Sequence, residues 1–188
     1  LANGTSYQKY HGPIDTLVVL GGESAFSESS PELLQWIIKR SEDVRRLVSV
    51  CVGAFVLART GLLDGKRVTT HWHHAARLAQ MHPKLRVEKD HIFVKDGKVF
   101  TTAGVTAGID MALAIVEEDL GHEAVASIAH TLVLYHRRPG NEAQYSTLLA
   151  QQADVSGTPL SLLPAWAKAR LSEKLGVVEL AQSVGMSA

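Results

Sequence analysis

The sequence predicts an α/β domain on a doubly wound, mostly parallel sheet, followed by a partial all-α segment. Three observations carry this. Short, continuous apolar runs at 16–20 (Thr-Leu-Val-Val-Leu) and 46–50 (Arg-Leu-Val-Ser-Val) read as strands buried on both faces, the pattern of parallel sheets. Segments with apolar residues at helical spacing alternate with such runs, which is the order of crossover units. A polar stretch at 151–160, with Gly157 and Pro159, reads as a linker between a domain at 1–150 and a helical end at 161–188.

The elements follow in order. Gly21-Gly22 closes the first strand. Ser30 and Pro31 open a helix whose Leu33, Leu34, Ile37 and Ile38 share one face. The second strand, 46–50, meets Cys51 and Gly53, and a helix at 54–59 is stopped by Gly61. A third strand is expected at 68–70 and a short helix at 74–81, ended before Pro83. Asp96-Gly97, between apolar runs at 92–95 and 98–102, predicts a hairpin with a type I′ turn. Ile109, Leu113, Val116 and Leu120 mark a long helix ended by Gly121; a further helix, over about 123–136, is broken by Pro139-Gly140. Beyond the polar stretch, 162–175 reads as a helix ended by Gly176, and 177–184 as a short one before Gly185.

Composition sets bounds. At 188 residues, 46% of them apolar, the chain can bury a full core. Nineteen basic and nineteen acidic residues cancel, so no global field draws it to nucleic acid or membrane. One cysteine excludes an internal disulfide framework and fits a reducing cytoplasm. No apolar run approaches the ~20 residues of a membrane span, and no signal peptide is visible, although the chain opens at Leu1 without a methionine. No cofactor is expected. Nor is a metal: His71, His73 and His74 straddle a strand-to-helix change with Trp72 among them, which splays the rings apart.

The most informative stretch is 46–59. A strand, a sharp turn bearing a thiol and a helix have the layout of a nucleophile elbow. A helix N-terminus would favour the Cys51 thiolate. Three readings stay open: an inert buried cysteine, a catalytic nucleophile, and a thiol lining a ligand pocket. His71 lies twenty residues on, at the end of the third strand. Strand carboxyl ends converge on one crevice in open α/β sheets, so the two side chains can share it. The plainer alternative is a strand-end histidine bonded to backbone.

Several motifs stand in one order: Ser49-Val-Cys-Val-Gly-Ala-Phe55, Gly61-Leu-Leu-Asp-Gly65, Thr69-Thr-His-Trp72, Thr106-Ala-Gly-Ile-Asp110, and Arg137-Arg-Pro-Gly140 with Gln144 and Ser146. In these the chain resembles the ThiJ/PfpI family, of flavodoxin-like, class I glutamine amidotransferase-like fold. It is most similar to the branch fused to AraC-type transcriptional regulators. The resemblance implies a small-molecule effector of nitrogenous type, such as a quaternary amine or amino-acid derivative. It implies ligand-contact positions Gly22, Cys51, Val52, His71 and Thr106, with Cys51 and His71 at the family's catalytic places. Asp110 would cap its helix or shape the pocket. Relatives dimerise through this domain, so a homodimer is expected, helped by a first strand that lacks a neighbour.

The same resemblance keeps an enzyme in view: a cysteine hydrolase, hydratase or glyoxalase-like protein. Two features weigh against it. The acidic partner that such relatives draw from an early helix has no counterpart in the polar residues 1–15. The isonitrile-type hydratase branch carries a threonine after the nucleophile, where this chain has Val52. A purely structural dimerisation module is the third possibility.

Residues 177–188 resemble the first half of an AraC-type helix-turn-helix, with Leu180 and Val184 on one face, Ala181 at a close crossing and Gly185 in the turn. Ser187 falls at the start of the DNA-binding part. The plainer reading is an amphipathic hairpin. From 160 to 188, three basic residues face two acidic ones, too little excess for a phosphate-binding surface. DNA binding is therefore expected of a full-length regulator and not of this chain alone.

Overall fold

In the computed structural model, which describes residues 4–27, 29–146, 158–170, 173 and 175–186, the two early apolar runs lie side by side as parallel strands. Strand β1 (Thr16–Val19) pairs with β2 (Arg46–Val50), Thr16 opposite Arg46. Two short strands, β3 (Arg67–Val68) and β4 (Arg86–Val87), form a separate parallel ribbon. Strands β5 (Phe93–Asp96) and β6 (Val99–Thr102) make a hairpin, and β6 pairs parallel with β2. The sheet order is β1-β2-β6-β5, with β5 alone antiparallel. Side chains alternate across the strands and so feed two layers. Leu47 and Val99 pack with Ile37 of helix α1 (Pro31–Asp43) and with Phe55 and Leu57 of α2 (Gly53–Arg59). Val48 and Phe100 face the other way, onto Met111 of α4 (Thr106–Leu120). Each large side chain so buried contributes about 1.5–3 kcal/mol.

Among the described residues the remaining helices are α3 (Trp72–Met81), α5 (His122–Thr131), α6 (Leu163–Lys168) and α7 (Val177–Ser183). The chain divides into two compact units, Leu1–Gln144 and Tyr145–Ala188, and α6 and α7 belong to the second. Residues 151–157 of the predicted linker at 151–160 lie outside the described residues, and its end enters a 3-10 turn. Helix α6 is shorter than the stretch at 162–175 suggests. A 3-10 turn precedes it at Pro159–Leu162, and a turn follows at 169–170.

Other expectations are corrected locally. β1 is not buried on both faces: it sits at the sheet edge, and Val18 is 46% exposed. Beside it runs an apolar groove of about 490 Å3, lined by Leu17, Val18, Leu33, Trp36 and Val56 among others. The hairpin turn is not type I′. Asp96 pairs with Val99, so Gly97 and Lys98 are the central residues, and only Gly97 has positive φ (62°), as a type II′ turn requires. The third strand stops at Val68, because the Thr69 N–H bonds the Thr101 side-chain hydroxyl instead of a backbone carbonyl.

Helix α5 ends five residues before His136. Leu134 N–H reaches back to Ala129 O, and Val133 N–H to His130 O, with Val133 at φ 55°. This is a Schellman closure with valine at the left-handed position, where glycine is usual. A β-branched residue there costs about 1–2 kcal/mol, and Val133 recovers little by burial, being 88% exposed. Val133→Gly is expected to stabilise the unit by about 1 kcal/mol, seen as a higher urea midpoint; an unchanged midpoint would mean that the valine carries no strain.

Charge pairs fasten the start of β2 to the end of α4. Arg46, 4% exposed, donates from Nη1 and Nη2 to the Asp119 carboxylate at 2.9 and 2.7 Å, and Arg45 bonds the same group. The Arg46 hydrogen bond, then that of Arg45, holds the Asp119 carboxyl well below its usual range. Glu117 is pulled down to about 2, by Arg137 first and then His122. Such depressed carboxylates contribute stability above their unfolded pKa, near 4, that is lost as pH falls towards the folded value.

His82 adds a second leg at higher pH. Its Nε2 is buried without a partner, and burial, then the charge of Arg59, pushes its pKa below the ordinary 6.5, with Asp64 opposing. The folded chain therefore takes up this proton less readily than the unfolded chain. Stability is fully present above about pH 6.5 and declines as pH drops through the lowered value. Urea unfolding at pH 7 and pH 5 should show a smaller loss for His82→Gln than for the wild type. Equal losses would contradict the burial.

Candidate functional site

Two sharp turns meet at the carboxyl ends of β2 and β6. Val50 and Thr102 are register partners, so the residues that follow them emerge side by side. Cys51 has φ 55° at the junction of β2 and α2. Its backbone is held on both sides: its N–H donates to Thr102 O (2.9 Å), and its carbonyl accepts from Thr70 Oγ1 (2.8 Å). Gly104, at φ 101°, lies two residues past β6 and touches it; a Cβ there would lie 2.4 Å from Cys51 Cβ and 3.1 Å from Sγ. Glycine is required for both reasons. The next residue, Val105, has φ 48° and ψ −114°, a conformation costing of order 1–3 kcal/mol, and no side chain caps α4 behind it.

A cavity of about 150 Å3 opens against this junction, lined by His71, Trp72, Gly104, Thr106, Arg138 and Gln144 with apolar neighbours. His71 is the N-cap of α3, and its Nδ1 accepts the His73 N–H at 3.3 Å. With Nδ1 accepting, a neutral ring carries its proton on Nε2. The predicted helix start at His74 moves back to Trp72 for the same reason. Trp72 is 54% exposed, its ring 5.6 Å from that of His71. Among the described residues, no carboxylate lines the cavity.

His71 and Thr106 thus line one cavity, and Cys51 lies against its wall at Gly104 without lining it. Gly22 and Val52 are not on it. Val52 is 5% exposed and turned into the core, where a Cβ at Gly21 would come within 2.9 Å of its Cγ2. Gly21, rather than Gly22, is therefore the glycine pressed on the cysteine turn, and Gly22 caps the 3-10 turn Glu23–Phe26. Ser187 lies outside the described residues.

The far wall comes from 137–144, which carries no regular structure. Arg138 donates from its backbone N–H (2.9 Å), Nε (2.9 Å) and Nη2 (2.6 Å) to the buried Asp110 carboxylate, and from Nη2 to Thr106 Oγ1 (3.0 Å). Asp110 therefore shapes the wall and does not cap its own helix. Periodicity gives no role to Arg138, Gln144 or Trp72. Their only signal in the sequence is membership of the motifs at 69–72 and 137–144. An aromatic face and fixed donors around a volume of about five water molecules, with the thiol behind the Gly104 wall, suit a small polar ligand.

Residues 4–118 match the model of the DJ-1/PfpI family. Over 174 residues the chain is 29% identical to the HTH-type transcriptional regulator GbdR of Pseudomonas aeruginosa, covering 93% of this chain and 47% of that protein. Over 111 residues it is 40% identical to the isonitrile hydratase of Pseudomonas putida, covering 57% of this chain and 46% of that enzyme. The chain spans less than half the length of either curated relative. A solved ThiJ/PfpI family protein of Pseudomonas syringae has the same fold, with a TM-score of 0.59 at 24% identity over 96% of this chain and 69% of that one. With that match spanning β1 to α4, which hold Cys51, His71 and Thr106, the chain belongs to the DJ-1/PfpI family.

Proposed function

We propose that the chain is the effector-sensing part of an AraC-type transcriptional regulator, binding a small nitrogenous metabolite in the cavity beside Cys51. The observation that carries the reading is the pairing of that cavity with a second, helical unit, in a chain similar to a transcriptional regulator along 93% of its length. Cys51 and His71 line or border the site as ligand contacts, with Thr106, Trp72 and Arg138. Helix α7 and Gly185 form the first half of a helix-turn-helix, Ser187 leads into its DNA-reading part, and DNA is the partner of the full-length protein. The regulator acts in the cytoplasm as a homodimer, for which the open β1 edge and its apolar groove are the candidate contact.

The enzyme reading is favoured by one observation, the 40% identity to isonitrile hydratase. Against it, Val52 offers no hydroxyl, His71 Nδ1 is already taken by the His73 N–H, and no carboxylate faces the cavity among the described residues. The test is a thermal-shift titration of the chain with quaternary amines and amino-acid derivatives, beside a turnover assay with a simple isonitrile. A saturable upward shift, lost in Trp72→Ala, with no Cys51-dependent turnover, is expected. Turnover abolished by Cys51→Ser would replace the sensor with an enzyme.

A further inference from the structure

One side chain at the cavity wall belongs also to the exit of the chain from the α/β unit. Gln144 is the last residue of that unit, and Tyr145 opens the second. Its amide is engaged at both ends. Nε2 donates to Thr70 O (2.9 Å), His91 O (2.8 Å) and Thr69 Oγ1 (3.2 Å), while Oε1 accepts the Trp72 N–H (2.8 Å). Its backbone N–H is held by Asp90, through the carbonyl and Oδ1, both at 3.0 Å. The planar amide thus joins the 69–72 turn, which puts His71 and Trp72 on the cavity, to the 90–92 segment ahead of β5. A planar group bonded at both ends cannot follow a shift of the turn without moving its own backbone or giving up a hydrogen bond.

We propose that Gln144 is the positioning residue through which filling of the cavity reaches the second unit. The proposal rests on the effector reading of that cavity. A ligand that displaces Trp72 or His71 shifts the turn, the amide carries the shift to the Gln144 backbone, and Tyr145 and the chain beyond it respond. A residue that merely fastens the fold would lower stability when removed but would pass no signal.

The test is hydrogen exchange on the full 188-residue chain, empty and with the cavity filled. Iodoacetamide is the probe, because Cys51 is the sole cysteine and carbamidomethylation places a small amide beside Gly104. Thr106→Phe serves as the filler should the thiol resist labelling. In the wild type, filling is expected to change exchange by about two-fold or more both in peptides over 69–74 and in peptides over 145–170. In Gln144→Ala the change at 69–74 persists and that at 145–170 is lost. Gln144→Glu, which keeps the shape and the acceptor for Trp72 but loses the donor to Thr70 and His91, makes the same comparison if the alanine variant does not fold. A full response at 145–170 in the Gln144 variants, or none there in the wild type, overturns the proposal. Metabolite binding by thermal shift on the same proteins separates the two ideas. Binding without transmission removes the coupling alone; transmission by the label with no metabolite bound removes the effector reading.

Discussion

Gly53→Ala is expected to destabilise the α/β unit by about 2–3 kcal/mol, although the same exchange in an exposed helix would stabilise by up to about 1 kcal/mol. Gly53 is the first residue of α2, and a Cβ there would lie 2.3 Å from Val19 O and 3.1 Å from the Leu20 carbonyl carbon. Both neighbours are backbone, so no side chain can swing aside. Helix α2 would have to retreat from β1, opening the layer that buries Phe55 and Leu57 to 0% exposure and displacing the turn that holds Cys51. Urea unfolding followed by circular dichroism measures the loss. Gly61→Ala is the control: its φ is 76° but nothing lies within 4 Å, so it should lose only about 1–2 kcal/mol of backbone strain. A Gly53→Ala chain as stable as wild type would mean that α2 does not approach β1 this closely.

Asp110→Ala is expected to cost about 2–3 kcal/mol and to abolish ligand binding at the cavity. The Asp110 side chain is 7% exposed and accepts three hydrogen bonds from Arg138, one of them from its backbone. Removing it orphans a backbone donor and leaves a guanidinium without its counter-charge. Breaking a fully buried pair costs about 3–5 kcal/mol; the Arg138 side chain keeps 28% exposure, and water there softens the loss. The cavity suffers beyond the stability change, because Asp110 is what aims Arg138 at Thr106. The double variant Asp110→Ala/Arg138→Ala should be less destabilised than the two single losses added together. Strict additivity would show that the pair is not coupled.

The architecture was available in the amino-acid sequence because its signals are local. The continuous apolar runs, the Ser30-Pro31 helix start with Ser30 accepting the Leu33 N–H, and the glycine stops at 61 and 121 each depend on a few neighbouring residues. The placing of Cys51 at a strand-to-helix turn is of the same kind: β-branched residues before it and a small residue after it suffice. What needed the tertiary structure was every relation between distant segments. That Gly21 rather than Gly22 presses on Val52, that Gly104 walls the thiol, and that His71 spends Nδ1 on its own helix are consequences of strands brought side by side. Val52 turns inward because α2 must bury its first turn, a demand set by β1 some thirty residues earlier. The 137–144 segment shows the limit most plainly. It has no periodicity to read, because its order comes from Asp110, Thr70 and His91, partners 28 to 74 residues away, and hydrogen bonds of that range leave no pattern in the chain that makes them.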